Sequence, residues 1–172
     1  MEYKLNKKQV DKNTSVVEED FEHLKKVINT IVEPYCKSLD HYVEFISQCL
    51  KDTENPPTTE ELQDFCMRLA TEVYWASAGS EHLGIKDDIS RAIYKEAYHS
   101  NRDSQTEGTV ADKNSFAELA SQQEYLTNVC YSRAYKILKA KVENAQELLS
   151  SCKKVLSCRL TEMELTRIGG NN

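Results

Sequence analysis

The stretch Val110–Ile168, VADKNSFAELASQQEYLTNVCYSRAYKILKAKVENAQELLSSCKKVLSCRLTEMELTRI, contains neither proline nor glycine. Along it Leu119, Leu126, Cys130, Ala134, Leu138, Val142, Ala145, Leu149, Cys152, Leu156 and Met163 recur at steps of three, four or seven. Those are the intervals at which one face of an α-helix returns. Thr109 stands where an N-cap hydroxyl belongs, and Asp112 where a carboxylate meets outward-pointing amides. The spacing predicts a single helix over residues 110–168. At about 1.5 Å per residue it would run to roughly 80 Å, which argues for an elongated molecule.

Upstream of this helix, Asn101–Gly108 (NRDSQTEG) has no apolar residue and reads as a loop. Before the loop, Thr58-Thr-Glu-Glu61 has the form of a capping box, and Leu62, Cys66, Leu69, Val73, Ala76, Ser80 and Leu83 follow at alternating fours and threes. That predicts a second helix to about Ser100, with a bend or short break at residues 79–86, where Gly79 and Gly84 interrupt the seam and Ile89, Ile93 and Ala97 resume it. Pro56-Pro57 marks the connection before it. Earlier still, a capping box at Ser15–Glu18 opens another periodic run, Val17 to Cys49, which Pro34 should kink or split. The expected organisation is a flexible arm over 1–13, an N-terminal helical segment over 14–57, a long helical hairpin over 58–168 with its loop at 101–108, and a fraying end over 169–172. The fold class is all-α: an elongated antiparallel hairpin of long helices with an additional N-terminal helix and coiled-coil-like packing.

Composition agrees with that class. Among 172 residues only 5 are Gly and 3 are Pro, too few turn-makers for a sandwich, a barrel or a Gly-rich nucleotide fold. No apolar run reaches the roughly 18 residues of a membrane span, and MEYKLNKK at the N-terminus lacks the apolar core of a signal peptide. A cytoplasmic protein is expected, with Cys36, Cys49, Cys66, Cys130, Cys152 and Cys158 as free, mostly buried thiols. Seams this long on so thin a core predict homo-oligomers, and Trp75, Ile85 and Val129 add apolar character on neighbouring faces.

Catalytic signatures are not apparent. Glu60-Glu61 and Asp87-Asp88 sit side by side on helices, where neighbours point about 100° apart, so both read as solvated faces. His23, His41, His82 and His99 lack metal-ligand spacing, no Cys-x-x-Cys occurs, and no glycine cluster could cradle phosphate. Neither metal nor cofactor is expected, and the protein reads as a non-enzyme.

Charge is more informative. The net charge is -6. Residues 1–57 hold 8 basic against 11 acidic side chains, residues 58–107 hold 5 against 10, and residues 108–172 hold 9 against 7. Within the last segment, Tyr125–Val142 carries Arg133, Lys136, Lys139 and Lys141 without an acid, interleaved with Tyr131 and Tyr135. On a helical wheel Arg133, Lys136, Lys139 and Lys154 fall away from the arc of Leu138, Ala145, Leu149 and Leu156. Such a strip can follow a phosphate backbone while tyrosines stack unpaired bases. It is also what an ordinary solvated face looks like, since Glu143 and Glu147 share the arc and the total charge is acidic.

Over residues 60–167 the chain resembles the UvsY-type recombination mediators of tailed bacteriophages and related small helical phage proteins. The resemblance lies in Glu72-Val-Tyr-Trp-Ala76, Glu81, Arg91-Ala-Ile-Tyr-Lys95, Tyr98-His-Ser-Asn101, Gly108-Thr-Val-Ala111, Tyr125, Tyr135-Lys-Ile-Leu-Lys139 and a terminal helix closing on Glu164. It implies a non-catalytic accessory factor that binds single-stranded DNA, assembles into rings, and helps a recombinase displace a single-strand-binding protein. It also implies DNA contacts by basic residues near the end of the helix before the loop. Lys95 matches one of them, Ile93 occupies the place of another, and Arg91 and Arg102 lie close enough in sequence to supply equivalent charge. The candidate interface is therefore Arg91, Lys95, Arg102, Arg133, Lys136 and Lys139, with Tyr98, Tyr131 and Tyr135 as stacking groups. The competing expectation is a coiled-coil scaffold that binds only protein, supported by the acidic first 107 residues.

Overall fold

The structure, a computed structural model, describes residues 7–169, and they form four helices: α1 (Lys7–Lys51), α2 (Thr59–Ser104), α3 (Val110–Ala120) and α4 (Gln122–Gly169). No strand occurs among the described residues, so the chain is all-α, with long helices packed on one another.

Two of the predicted starts hold in atomic detail. The Thr58 amide donates to Glu61 Oε2 at 2.7 Å and the Glu61 amide donates to Thr58 Oγ1 at 3.2 Å, the reciprocal arrangement of a capping box. Thr109 and Asp112 form the same box before α3, and Gly108 precedes it at φ 95, a left-handed angle that favours glycine. These carboxylates accept amide and hydroxyl hydrogen bonds that stabilise their charge. Thr58 holds Glu61, and Thr109 holds Asp112, below the ordinary carboxylate range. Their folded pKa is thus lower than their unfolded one. The stabilisation is complete above the unfolded value and disappears as pH falls through the folded one, at roughly pH 4 and below. Thermal melts followed by circular dichroism should show wild type losing more of its stability between about pH 6 and pH 2.5 than Glu61→Gln does.

Other boundaries differ from expectation. The arm expected over 1–13 is helical from Lys7, because α1 extends upstream of the Ser15 box; residues 1–6 and 170–172 lie outside the described residues. Pro34 does not split α1. It faces solvent while Val32, Cys36 and Leu39 beside it are buried, so water can satisfy the carbonyl that proline leaves without a donor. No break occurs at residues 79–86, and α2 runs on to Ser104, shortening the loop expected at 101–108. The long helix expected over 110–168 is interrupted at Ser121. There the serine hydroxyl and its amide both donate to the Ala117 carbonyl, at 2.6 and 3.0 Å, and α4 starts at the next residue. A side chain that competes for backbone acceptors ends the first helix where no proline or glycine does.

The chain divides into two compact units. The second, residues 33–85 and 135–172, takes one segment from each long helix. Its core joins Cys36, Leu39 and Ile46 of α1, Leu62, Leu69, Val73 and Leu83 of α2, and Leu138, Val142, Ala145 and Cys152 of α4. Pairs such as Gly84 with Tyr135 and Thr59 with Met163 show α2 and α4 antiparallel there, and Arg68 with Tyr42 and Phe45 with Phe65 show the same of α1 and α2. The Arg159 guanidinium donates to the Pro57 carbonyl, tying α4 to the connection before α2. Gly79 is a close-approach site: an added Cβ would lie 2.7 Å from Tyr35 Cδ1 and 2.9 Å from Tyr35 Cβ. Gly79→Ala should lower stability by about 1–3 kcal/mol for the displaced helix contact, offset by at most about 1 kcal/mol of helix propensity. Denaturant titration checks this, and a more stable variant would refute it.

The first unit, residues 1–32 and 86–134, is built differently. Among the described residues its buried side chains are mostly small or polar: Val32, Asp87, Ser90, Ala117, Ser121, Cys130 and Ala134.

Candidate nucleic-acid interface

Burial of Leu138, Val142, Ala145 and Cys152 fixes which way the second unit's α4 segment faces. Lys136 lies on the opposite side and Lys139 on the flank, and both are exposed. Neither forms an ion pair among the described residues. Lys139 lines a hollow of about 230 Å³ with Glu81, Glu143 and Gln146, so two carboxylates stand near it. Tyr135, expected as a stacking platform, instead lays its ring against Gly84, with Cε2 3.4 Å from where a Cβ would stand. That contact leaves it half-buried, with only part of its ring open to a base.

Lys141 belongs to the same charged segment but has a partner. Its ammonium donates to both Asp40 oxygens at 2.6 Å, linking α4 to α1. Asp40 also accepts a 3.2 Å bond from the Cys36 thiol. Burial, the bond to Asp40 and the negative charge there push the Cys36 thiol up to about 11, so it stays protonated at neutral pH. Cys36, Cys66, Cys130 and Cys152 are buried free thiols, whereas Cys158 is exposed.

In the first unit Arg133 and Lys95 are exposed and form no ion pair among the described residues, and Tyr131 is half-buried. Arg102 sits in the last turn of α2, half-buried. Arg91 is committed elsewhere: its guanidinium donates to Asp87 Oδ2 at 2.8 Å, with Asp88 at 3.9 Å. The solvated face expected for Asp87 and Asp88 holds for Asp88 only. Asp87 is 6 % exposed, because it stands one helical turn beyond Leu83 on the inward side of α2. Its carboxylate is satisfied by Arg91 and by Asn128 Nδ2 at 3.2 Å, and the same Asn128 nitrogen reaches Ser90 Oγ at 3.1 Å. A phosphate would have to compete with a buried carboxylate for Arg91.

Tyr98 belongs to an aromatic group that sequence spacing alone does not assemble. Tyr94 has its ring centroid 6.4 Å from that of Tyr98 and 5.5 Å from that of Tyr125. Tyr94, Tyr125, Glu118 and Gln122 line a hollow of about 260 Å³. Tyr94 and Tyr98 are four residues apart, a spacing that shares one helix face, and this was the available signal. Tyr125 comes from α4, so its contact with Tyr94 depends on how the two helices register.

No set of three or more metal-ligating side chains is grouped for a metal among the described residues, and no helix among them is long and apolar enough to cross a membrane. Comparison with protein-family models, curated proteins and solved structures finds no match to this chain.

Proposed function

We propose that this protein is a non-catalytic, self-associating accessory factor that binds single-stranded DNA, of the recombination-mediator kind, and that it acts beside a recombinase and a single-strand-binding protein. The observation that carries the DNA part is the exposure of Arg133, Lys136 and Lys139 on α4, without an ion pair among the described residues, in a chain of net charge -6. Lys95 adds a further exposed cation on α2, and the Tyr94–Tyr125 hollow supplies aromatic rings of the kind on which bases stack. The recombination context rests on the resemblance described above. Self-association repeats each local group of cations and raises its effect through multivalency.

A purely protein-binding scaffold is the second reading. It is favoured by the 13 basic against 21 acidic residues before residue 108 and by the engagement of Arg91 and Lys141 with carboxylates. Fluorescence anisotropy with a labelled oligonucleotide separates the two. If three cations per chain contact phosphate, a plot of log affinity against log salt should fall with a slope of about -2. Absence of binding at low salt, or binding indifferent to salt, would leave the scaffold.

A further inference from the structure

The inward arc of α2 is anchored by Leu62, Leu69 and Leu83, each 0 % exposed. With each residue advancing about 100°, a second apolar arc lies roughly opposite. Met67, Tyr74, Trp75 and Ile85 occupy it in the second unit and are 74 %, 67 %, 65 % and 58 % exposed. Between Thr71 and Ile85 no charged residue falls within this arc, which spans about 100° of the helix. A solvent-facing helix normally carries its charges there.

We infer that this outward face of α2 is a self-association surface, and that its occupant is the same face of a second copy of the chain. The uncovered area decides the choice. Four large side chains of the second unit exposed by more than half, two of them aromatic, leave on the order of 600 Å² per copy. That reaches the lower end of standard stable interfaces, about 600 Å² per partner. The spacing of the arc, with steps of three and four from Thr71 through Tyr74, Ala78, His82 and Ile85, is the one by which two helices interlock. From Thr71 to Ile85 the arc carries no charge to repel a copy of itself, and a two-fold pairing uses the same patch on both subunits.

This inference rests on the self-association in the proposed function and specifies its surface. Trp75 is the sole tryptophan, so its emission reports directly on the face. Raising purified protein from about 0.1 to 100 μM should shift Trp75 emission to the blue, while sedimentation equilibrium shows a mass of at least twice the 19.7 kDa chain. Ile85→Glu and Met67→Lys, both at exposed positions, should keep wild-type helicity and weaken association by at least about 30-fold. A wild type that stays at 19.7 kDa with concentration-independent emission would overturn both this inference and the self-association it builds on. An assembling wild type whose association both variants leave intact would overturn this face alone.

Discussion

Replacing Arg133, Lys136 and Lys139 together with glutamine is expected to weaken single-stranded DNA binding by about 30- to 100-fold at low salt and to flatten its salt dependence by nearly three phosphate contacts. The size follows from the nature of the contacts. Each cation that contacts phosphate displaces a condensed counterion, so losing three removes about three such displacements. Stability should barely change, since all three are exposed and none is ion-paired among the described residues. Glutamine keeps the helix propensity, so circular dichroism should overlay with wild type. Arg91→Gln gives the opposite control. It removes a partner of the buried Asp87, so it should lower stability and alter DNA affinity less than the triple change does. Unchanged affinity and salt slope in the triple variant would remove the DNA reading and leave a scaffold.

The other large effect lies on the far side of the same helix. Leu138 is 0 % exposed in the second unit, and Leu138→Ala should cost about 2–5 kcal/mol, from lost transfer energy and the cavity left behind. For a chain of this length that corresponds to roughly 4–20 °C in the melting midpoint. Its neighbour Ile137 is 37 % exposed, and the same truncation there should cost at most about 1 kcal/mol. Calorimetry on the two variants checks the contrast, and equal losses would mean that α4 does not face as described. Folded Leu138→Ala should keep the wild-type salt slope, so adjacent residues on one helix would separate folding from binding.

Much of the architecture was legible because it depends on local chemistry. Thr58 with Glu61 and Thr109 with Asp112 are capping pairs wherever three residues part them before an apolar run. The steps from Leu62 to Leu83 and from Cys130 to Cys152 require an inward face regardless of partner. The candidate interface was legible only in part. Helical arithmetic placed Lys136 and Lys139 outward, but it did not show that Asp40 holds Lys141 or that Asp87 holds Arg91. Asp40 and Lys141 are 101 residues apart, and the buried Asp87 takes one of its hydrogen bonds from Asn128, which arrives from another helix.

By itself the sequence determined that the chain is helical, where α2 and α3 begin, and which stripe of each long helix is apolar, because period and capping act within one or two turns. Only the tertiary structure decided that Gly79 admits Tyr35 within an unbroken α2, that Ser121 divides α3 from α4, that Tyr135 packs against Gly84, and which cations form ion pairs. Those outcomes turn on which side chains meet across helices, and a contact between distant residues leaves no mark on the periodicity of either one.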